Sequence, residues 1–154
     1  MDSAEIDRRL ERLRSTLRKA GVKLTHQRLE IFREIASRID HPVADAVFRT
    51  VRNRLPTVSL DTVYRTLSLL SDLGLITTLG PRREGVRFDP NLDRHHHYVC
   101  TRCGLVRDFE NVPWAALRPP AKIQGLGSVE RVQVEVRGLC DQCSRRKPVR
   151  KKAR

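Results

Sequence analysis

The chain has no apolar run approaching the ~18 residues that a membrane span needs, so no membrane partner is expected. Residues 1–5 are polar, and no apolar leader segment follows them. A cytoplasmic location is therefore the expectation, and thiols stay reduced there. Cysteine is sparse, with four in 154 residues. Acidic residues are missing from residues 145–154, where seven residues are basic. With those seven set aside, residues 1–144 still keep +6 of the formal net charge of +13. The tail is expected to be solvated and disordered, and the remaining excess points to a polyanion, most often nucleic acid. A charge that serves only solubility is the plainer alternative.

The four cysteines form two pairs, Cys100-Thr101-Arg102-Cys103 and Cys140-Asp141-Gln142-Cys143, with 36 residues (104–139) between them. A C-x-x-C turn lets two sulfurs converge on one ion, and two such turns complete a tetrahedral thiolate shell, the geometry of structural Zn²⁺. Two disulfides, or one redox pair with two spectators, would use the same residues. A reducing compartment argues against the first. The second leaves one pair unused. Apart from these two short segments the chain shows no internal repeat.

The first 75 residues read as helices. Ile6, Leu10, Leu13 and Leu17 make one apolar stripe, which Gly21 closes. Thr25 has N-cap chemistry for a second helix, whose stripe runs through Phe32, Ile35 and Ile39 to the break at His41-Pro42. A third helix is predicted from Val43 to about Arg54. Ser59 caps a fourth, Leu60 to Leu73, with Leu60, Val63, Leu67 and Leu70 on its buried side. Two short strands around a Gly80-Pro81 to Gly85 turn complete a winged helix. Such a fold lays its capped helix in a DNA major groove. Ser59, Thr62, Tyr64 and Arg65 would then face base edges, with Arg82 and Arg83 of the wing turn on phosphates. A merely solvated helix face is the bland alternative.

The second half is strand-like at Tyr98-Val99, at Leu105 to Phe109 and at Val132 to Val136. The fold class is thus α+β. A winged-helix domain (1–88) is joined by a hinge (89–94) to a small zinc-containing domain (95–144), with the basic tail (145–154) beyond.

Side chains two apart on a strand share a face, so His95 and His97 can address one ion while His96 points elsewhere. Asp89 enters from the linker. Asp108 returns on the strand after the first cysteine pair, and His41 stands at the helix break. Three imidazoles and two carboxylates without sulfur suit Fe²⁺ or Mn²⁺, and also Zn²⁺ or Ni²⁺. Three adjacent histidines can equally be ordinary surface residues, and His26 is read as one.

These residues carry a resemblance over nearly the whole chain. Gly21-Val22-Lys23-Leu24-Thr25-His26-Gln27-Arg28, Asp40-His41-Pro42, Ser59-Leu60-Asp61-Thr62-Val63-Tyr64-Arg65-Thr66-Leu67, His95-His96-His97-Tyr98-Val99-Cys100, Cys103-Gly104 and Gly138-Leu139-Cys140 to Cys143 occur in the order and spacing of the Fur superfamily of metal-responsive repressors. The resemblance implies a homodimer, with the C-terminal domain serving dimerisation and holding one Cys₄ zinc per subunit. In the peroxide-sensing (PerR) branch the regulatory ligands are three His and two Asp. The matching positions here are His41, Asp89, His95, His97 and Asp108, taking one Fe²⁺ or Mn²⁺ per subunit. Iron-sensing members usually carry Glu where Asp108 stands. Zinc-sensing members commonly use a further cysteine, and this chain has no fifth. Tyr64-Arg65-Thr66-Leu67 is closer to the iron-sensing recognition helix, and Pro119-Pro120 departs from the helix usual there.

The expected function is a metal-dependent repressor on a palindromic operator, with peroxide oxidising His41 or His95 to release it. Iron sensing and constitutive DNA binding by a structural-zinc protein are the alternatives. An enzyme is not expected, because the acids near the site are taken up as ligands.

Overall fold

The computed structural model describes residues 3–79, 85–110, 120–129 and 132–146. Arg82 and Arg83, residues 111–119 and the tail from Lys147 lie outside the described residues. Residues 1–93 form one compact unit and residues 94–154 a second.

The first unit is built on α1 (Ser3–Lys19), α2 (His26–Ala36), α3 (Ala44–Arg54) and α4 (Leu60–Asp72). Leu10, Leu13 and Leu17 of α1 are buried, as the four-three-four spacing of apolar residues requires. Thr25 starts α2 from extended backbone, its hydroxyl accepting the Arg28 N–H at 3.3 Å. Helix α2 ends at Ala36, so Ile39 leaves the predicted stripe and is 61% exposed. Ser59 caps α4 in the same way, accepting from the Thr62 N–H at 3.1 Å. Val63, Thr66, Leu67 and Leu70 line the buried face of α4, whereas Leu60, expected there, sits half-buried at its first turn. Gly74, at φ +66°, takes the left-handed turn that ends the helix and lets Leu75 N–H reach the Leu70 carbonyl at 2.9 Å. Phe32, Ile31, Ile35, Val47, Val51 and Leu67 anchor one continuous core shared by all four helices.

Charge reinforces that core. Glu30 and Glu34 of α2 are nearly buried, and Arg54 of α3 reaches both, at 3.2 and 3.1 Å. Arg33 also holds Glu30, at 2.8 Å. The Arg33 hydrogen bond, helped by Arg54, keeps the Glu30 carboxyl below its ordinary range against the opposing effect of burial. A carboxylate depressed in the folded state stabilises above its unfolded value, about 4.3, and loses that contribution as pH falls through the folded one. Glu30→Gln should therefore lower the denaturation midpoint of this unit near neutral pH. The gap to the parent chain should close as pH drops from about 6 towards 3, as denaturant titrations at each pH would read. A gap that is constant across that range would rule out this ionic contribution.

Strands β1 (Thr77–Leu79) and β2 (Arg87–Asp89) pair antiparallel, with Thr77 opposite Asp89. Four helices followed by this hairpin make a winged helix. Asp89, expected in a linker, is instead the last residue of β2 and is buried. The segment 41–43 runs beside β2: Phe88 N–H donates to the Pro42 carbonyl at 3.0 Å, and Val43 bridges Arg87.

The second unit holds β3 (His96–Cys100), β4 (Val106–Phe109), a short helix α5 (Ala121–Gln124), β5 (Glu135–Gly138) and α6 (Asp141–Arg145). Its sheet runs β4-β3-β5, with β3 antiparallel to β4 and parallel to β5. The strand expected at Val132 to Val136 begins three residues late. Val132 and Val136 are 40% and 38% exposed, because β5 takes its register from His97↔Glu135 on β3 and not from its own alternation.

Candidate metal centres and nucleic-acid surface

The two cysteine pairs meet through the parallel pairing of β3 and β5. Cys100 ends β3 opposite Gly138, so both C-x-x-C turns leave the sheet at the same end. The turn after Cys100 is closed by Gly104 N–H donating to the Cys100 carbonyl at 2.9 Å. Arg102 reaches across from the first turn, its guanidinium donating to the Cys143 carbonyl and, at 2.9 Å, to the Arg146 carbonyl. All four thiols are free, and their sulfurs lie within 4.8 Å of one another. Cys103 Sγ and Cys140 Sγ are 3.7 Å apart, far longer than a disulfide bond. A tetrahedron with Zn–S of about 2.3 Å has edges of roughly 3.8 Å, so the four sulfurs fit one zinc-sized ion. Backbone N–H groups of Cys140 and Cys103 hold the Cys100 thiol down to about 6, the Cys140 N–H lying 3.3 Å from its sulfur. Burial, with the other thiols beside it, pushes Cys143 up to about 12. A chain folded with one thiolate favoured and one buried thiol disfavoured gains from a cation that takes both.

The histidine–aspartate set is divided between the units. In the first, His41 and Asp89 lie side by side where the segment 41–43 runs along β2, Nε2 to Oδ1 3.5 Å, both 1% exposed. His41 has φ +50°, a left-handed backbone that costs a non-glycine residue about 1 kcal/mol. The Arg87 guanidinium holds it there by donating to the His41 carbonyl at 3.0 Å.

In the second unit, the β3–β4 register sets His97 directly opposite Asp108. His97 Nε2 lies 3.5 Å from Asp108 Oδ1, and His95 Nε2 lies 4.0 Å from it. The two imidazole Nε2 atoms are 2.9 Å apart. Donors at about 2.1 Å from a tetrahedral ion stand roughly 3.4 Å from one another, so each partial set is spaced for a cation. His96 turns the other way. Its Nδ1 accepts the Val134 N–H at 3.2 Å, and its ring packs on Phe109. His26 is exposed, 4.0 Å from Glu30.

On α4, Ser59, Tyr64 and Arg65 are exposed and Thr62 is partly so. Two of them are already engaged by acids. Tyr64 donates to Asp45 Oδ2 of α3 at 3.2 Å, and Arg65 pairs with Asp61 one turn earlier at 2.9 Å. Sequence reasoning gave no role to Asp45, Asp61 or Arg102. Only the Asp61–Arg65 spacing, four residues on a helix, signals such a pair in advance.

No helix among the described residues is long and apolar enough to cross a membrane. The sequence profile of the ferric uptake regulator family matches residues 19–123. The chain is 33% identical over 138 residues to the peroxide-responsive repressor PerR of Staphylococcus epidermidis, covering 90% of this chain and 92% of that one. The ferric uptake regulator Fur of Helicobacter pylori, whose structure reveals three functional metal-binding sites, aligns over 93% of this chain and 96% of its own, with TM-score 0.75 and 22% identity. PerR of Streptococcus pyogenes aligns over 87% and 92%, with TM-score 0.51 and 29% identity. Members of this family are metal-responsive transcription regulators that bind DNA and form dimers, and they are not enzymes. The chain belongs to the ferric uptake regulator family, near its peroxide-responsive repressors, and combines the family's winged-helix DNA-binding domain with a C-terminal dimerisation domain.

Proposed function

We propose that this chain is a cytoplasmic, homodimeric repressor of the peroxide-sensing type. Cys100, Cys103, Cys140 and Cys143 hold one structural Zn²⁺ per subunit. His41, Asp89, His95, His97 and Asp108 together hold one regulatory Fe²⁺ or Mn²⁺. The reading assigns residues 1–88 to DNA binding, 89–94 to a hinge, 95–144 to dimerisation and 145–154 to non-specific attraction for DNA. Ser59, Thr62, Tyr64 and Arg65 read base edges, and Arg82 and Arg83 contact phosphates.

The regulatory logic lies in the division of the ligands. His41 and Asp89 belong to the DNA-binding unit, and His95, His97 and Asp108 to the other. Bringing both sets onto one ion fixes the angle between the units. A dimer recognises a palindrome only when its two reading helices match the half-site spacing. Occupancy thus shifts the population towards the DNA-binding form. When bound, Fe²⁺ would activate hydrogen peroxide beside the imidazoles, so that one peroxide oxygen enters a ring, which is oxidised by two electrons, and the other leaves as water; Mn²⁺ would not support this reaction. His41 or His95 is the ring that takes the oxygen, and a ring so altered is lost as a ligand.

The observation that supports peroxide sensing over iron sensing is Asp108, a short carboxylate held opposite His97 by the β3–β4 ladder. Anaerobic Fe²⁺ loading, addition of hydrogen peroxide and peptide mass analysis should find one added oxygen on the His41 or His95 peptide, with loss of DNA binding. Unmodified histidines with DNA binding intact would instead assign iron sensing. DNA binding that ignores metal altogether would assign a constitutive zinc protein.

A further inference from the structure

The segment just before β5 is fastened to the histidine triplet at three points. His97 N–H donates to the Val134 carbonyl at 3.1 Å, and Val134 N–H donates to His96 Nδ1 at 3.2 Å. Between them Gln133 places its side-chain amide nitrogen 2.8 Å from His97 Nδ1. That is the ring nitrogen facing away from His95 and Asp108. An amide N–H donating to Nδ1 leaves the ring proton on Nε2. His97 Nε2 can then donate to His95 Nε2, 2.9 Å away, so the three side chains form one donor chain.

A cation reverses this arrangement. It needs the lone pair of His97 Nε2, so the ring proton must sit on Nδ1. A half-turn of the Gln133 amide exchanges its nitrogen for its oxygen at the same place and converts the donor into an acceptor. Glutamine is suited to this because its amide carries both functions.

We infer that Gln133 is a positioning residue for His97, holding the ring in one tautomer without metal and in the other with it. This rests on the reading that His97 is a regulatory ligand. Partners of a ligand's outer nitrogen ordinarily change metal affinity 10–100-fold. Leucine at position 133 removes both functions, lysine keeps only the donor, and glutamate keeps only the acceptor.

The test uses the full-length chain with its zinc in place and ¹⁵N-labelled histidine. Cd²⁺ serves as the diamagnetic probe for tautomers, and free Mn²⁺ is counted by electron paramagnetic resonance. The parent should show His97 protonated on Nε2 without Cd²⁺ and on Nδ1 with it. Gln133→Lys and Gln133→Leu should weaken Mn²⁺ binding roughly 10–100-fold, with zinc content unchanged. Gln133→Glu should hold the Nδ1–H tautomer even without metal and bind Mn²⁺ at least as tightly as the parent. The tautomer separates this effect from the added negative charge. If His97 takes up Cd²⁺ but its tautomer and the Mn²⁺ affinity are indifferent to residue 133, the role of Gln133 is overturned while the ligand reading stands. If Cd²⁺ leaves His97 unshifted in the parent, both fail together.

Discussion

Cys143→Ser is expected to leave the chain without its zinc and the second unit without a cooperative fold, while the first unit keeps its own melting transition. Within the second unit the buried apolar side chains are Cys100, Val106 and Cys143 among the described residues, and two of these are thiols. Ile123, Leu126, Val129, Val132, Val136 and Leu139 are all exposed. The continuous apolar core lies entirely in the first unit. Among the described residues, a subunit's second unit therefore has little hydrophobic burial of its own to set against chain entropy. Structural zinc contributes on the order of 10–16 kcal/mol in small domains, as much as a whole domain's usual net stability of about 5–15 kcal/mol. Elemental analysis should fall from one zinc per chain to near zero. Thermal unfolding should keep one transition where the parent shows two, and sedimentation should show loss of the dimer. A Cys143→Ser chain that retains zinc and both transitions would refute the four-thiolate assignment.

The second large effect concerns His41 and Asp89. In the parent chain Mn²⁺ should tighten operator binding by a factor on the order of 5–150, the usual range of coupling between two sites. His41→Ala combined with Asp89→Ala, which removes both donors of the first unit, should bring that factor to about one, although His95, His97 and Asp108 still offer donors. The reason is thermodynamic. A cation that touches only one unit has no differential affinity for the two arrangements of the units and cannot shift them. Gel-shift titrations with and without Mn²⁺, at fixed salt because phosphate contacts are salt-sensitive, give the factor directly. A chain lacking both His41 and Asp89 side chains but with undiminished Mn²⁺ stimulation would place the coupling elsewhere.

Local chemistry made much of the first unit readable. Thr25 and Ser59 announce their helices because a cap is a contact between residues three apart, and α1 announces itself because its stripe is regular. Ile39 misled because periodicity alone does not mark a helix end, and α2 stops at Ala36. Asp108 beside His97 followed from one hairpin with the first cysteine pair at its turn, again a short-range fact. What lay beyond the sequence was non-local. Asp89 looks like a linker residue until β2 is seen paired with β1. The start of β5 is set by β3, far away in the chain. Gln133, two residues before that strand, has no motif at all, and its meeting with His97 exists only once the parallel register does.

That parallel register has a further consequence, for what the chain can tolerate. Joining Cys100 and Cys103 to Cys140 and Cys143 through one ion closes the segment 104–139 into a loop. By the arithmetic of covalent cross-links, closing about 36 residues withholds roughly 4 kcal/mol of entropy from the unfolded chain. The dependence on length is logarithmic, so doubling the loop would change that by only about 0.6 kcal/mol. By this entropy alone, a change of length between β4 and Gln133 costs little. One residue added inside either C-x-x-C turn displaces a sulfur from its corner. An ion shared by the two turns would thus tolerate a change of length between β4 and Gln133 while fixing the spacing of the turns at its ends.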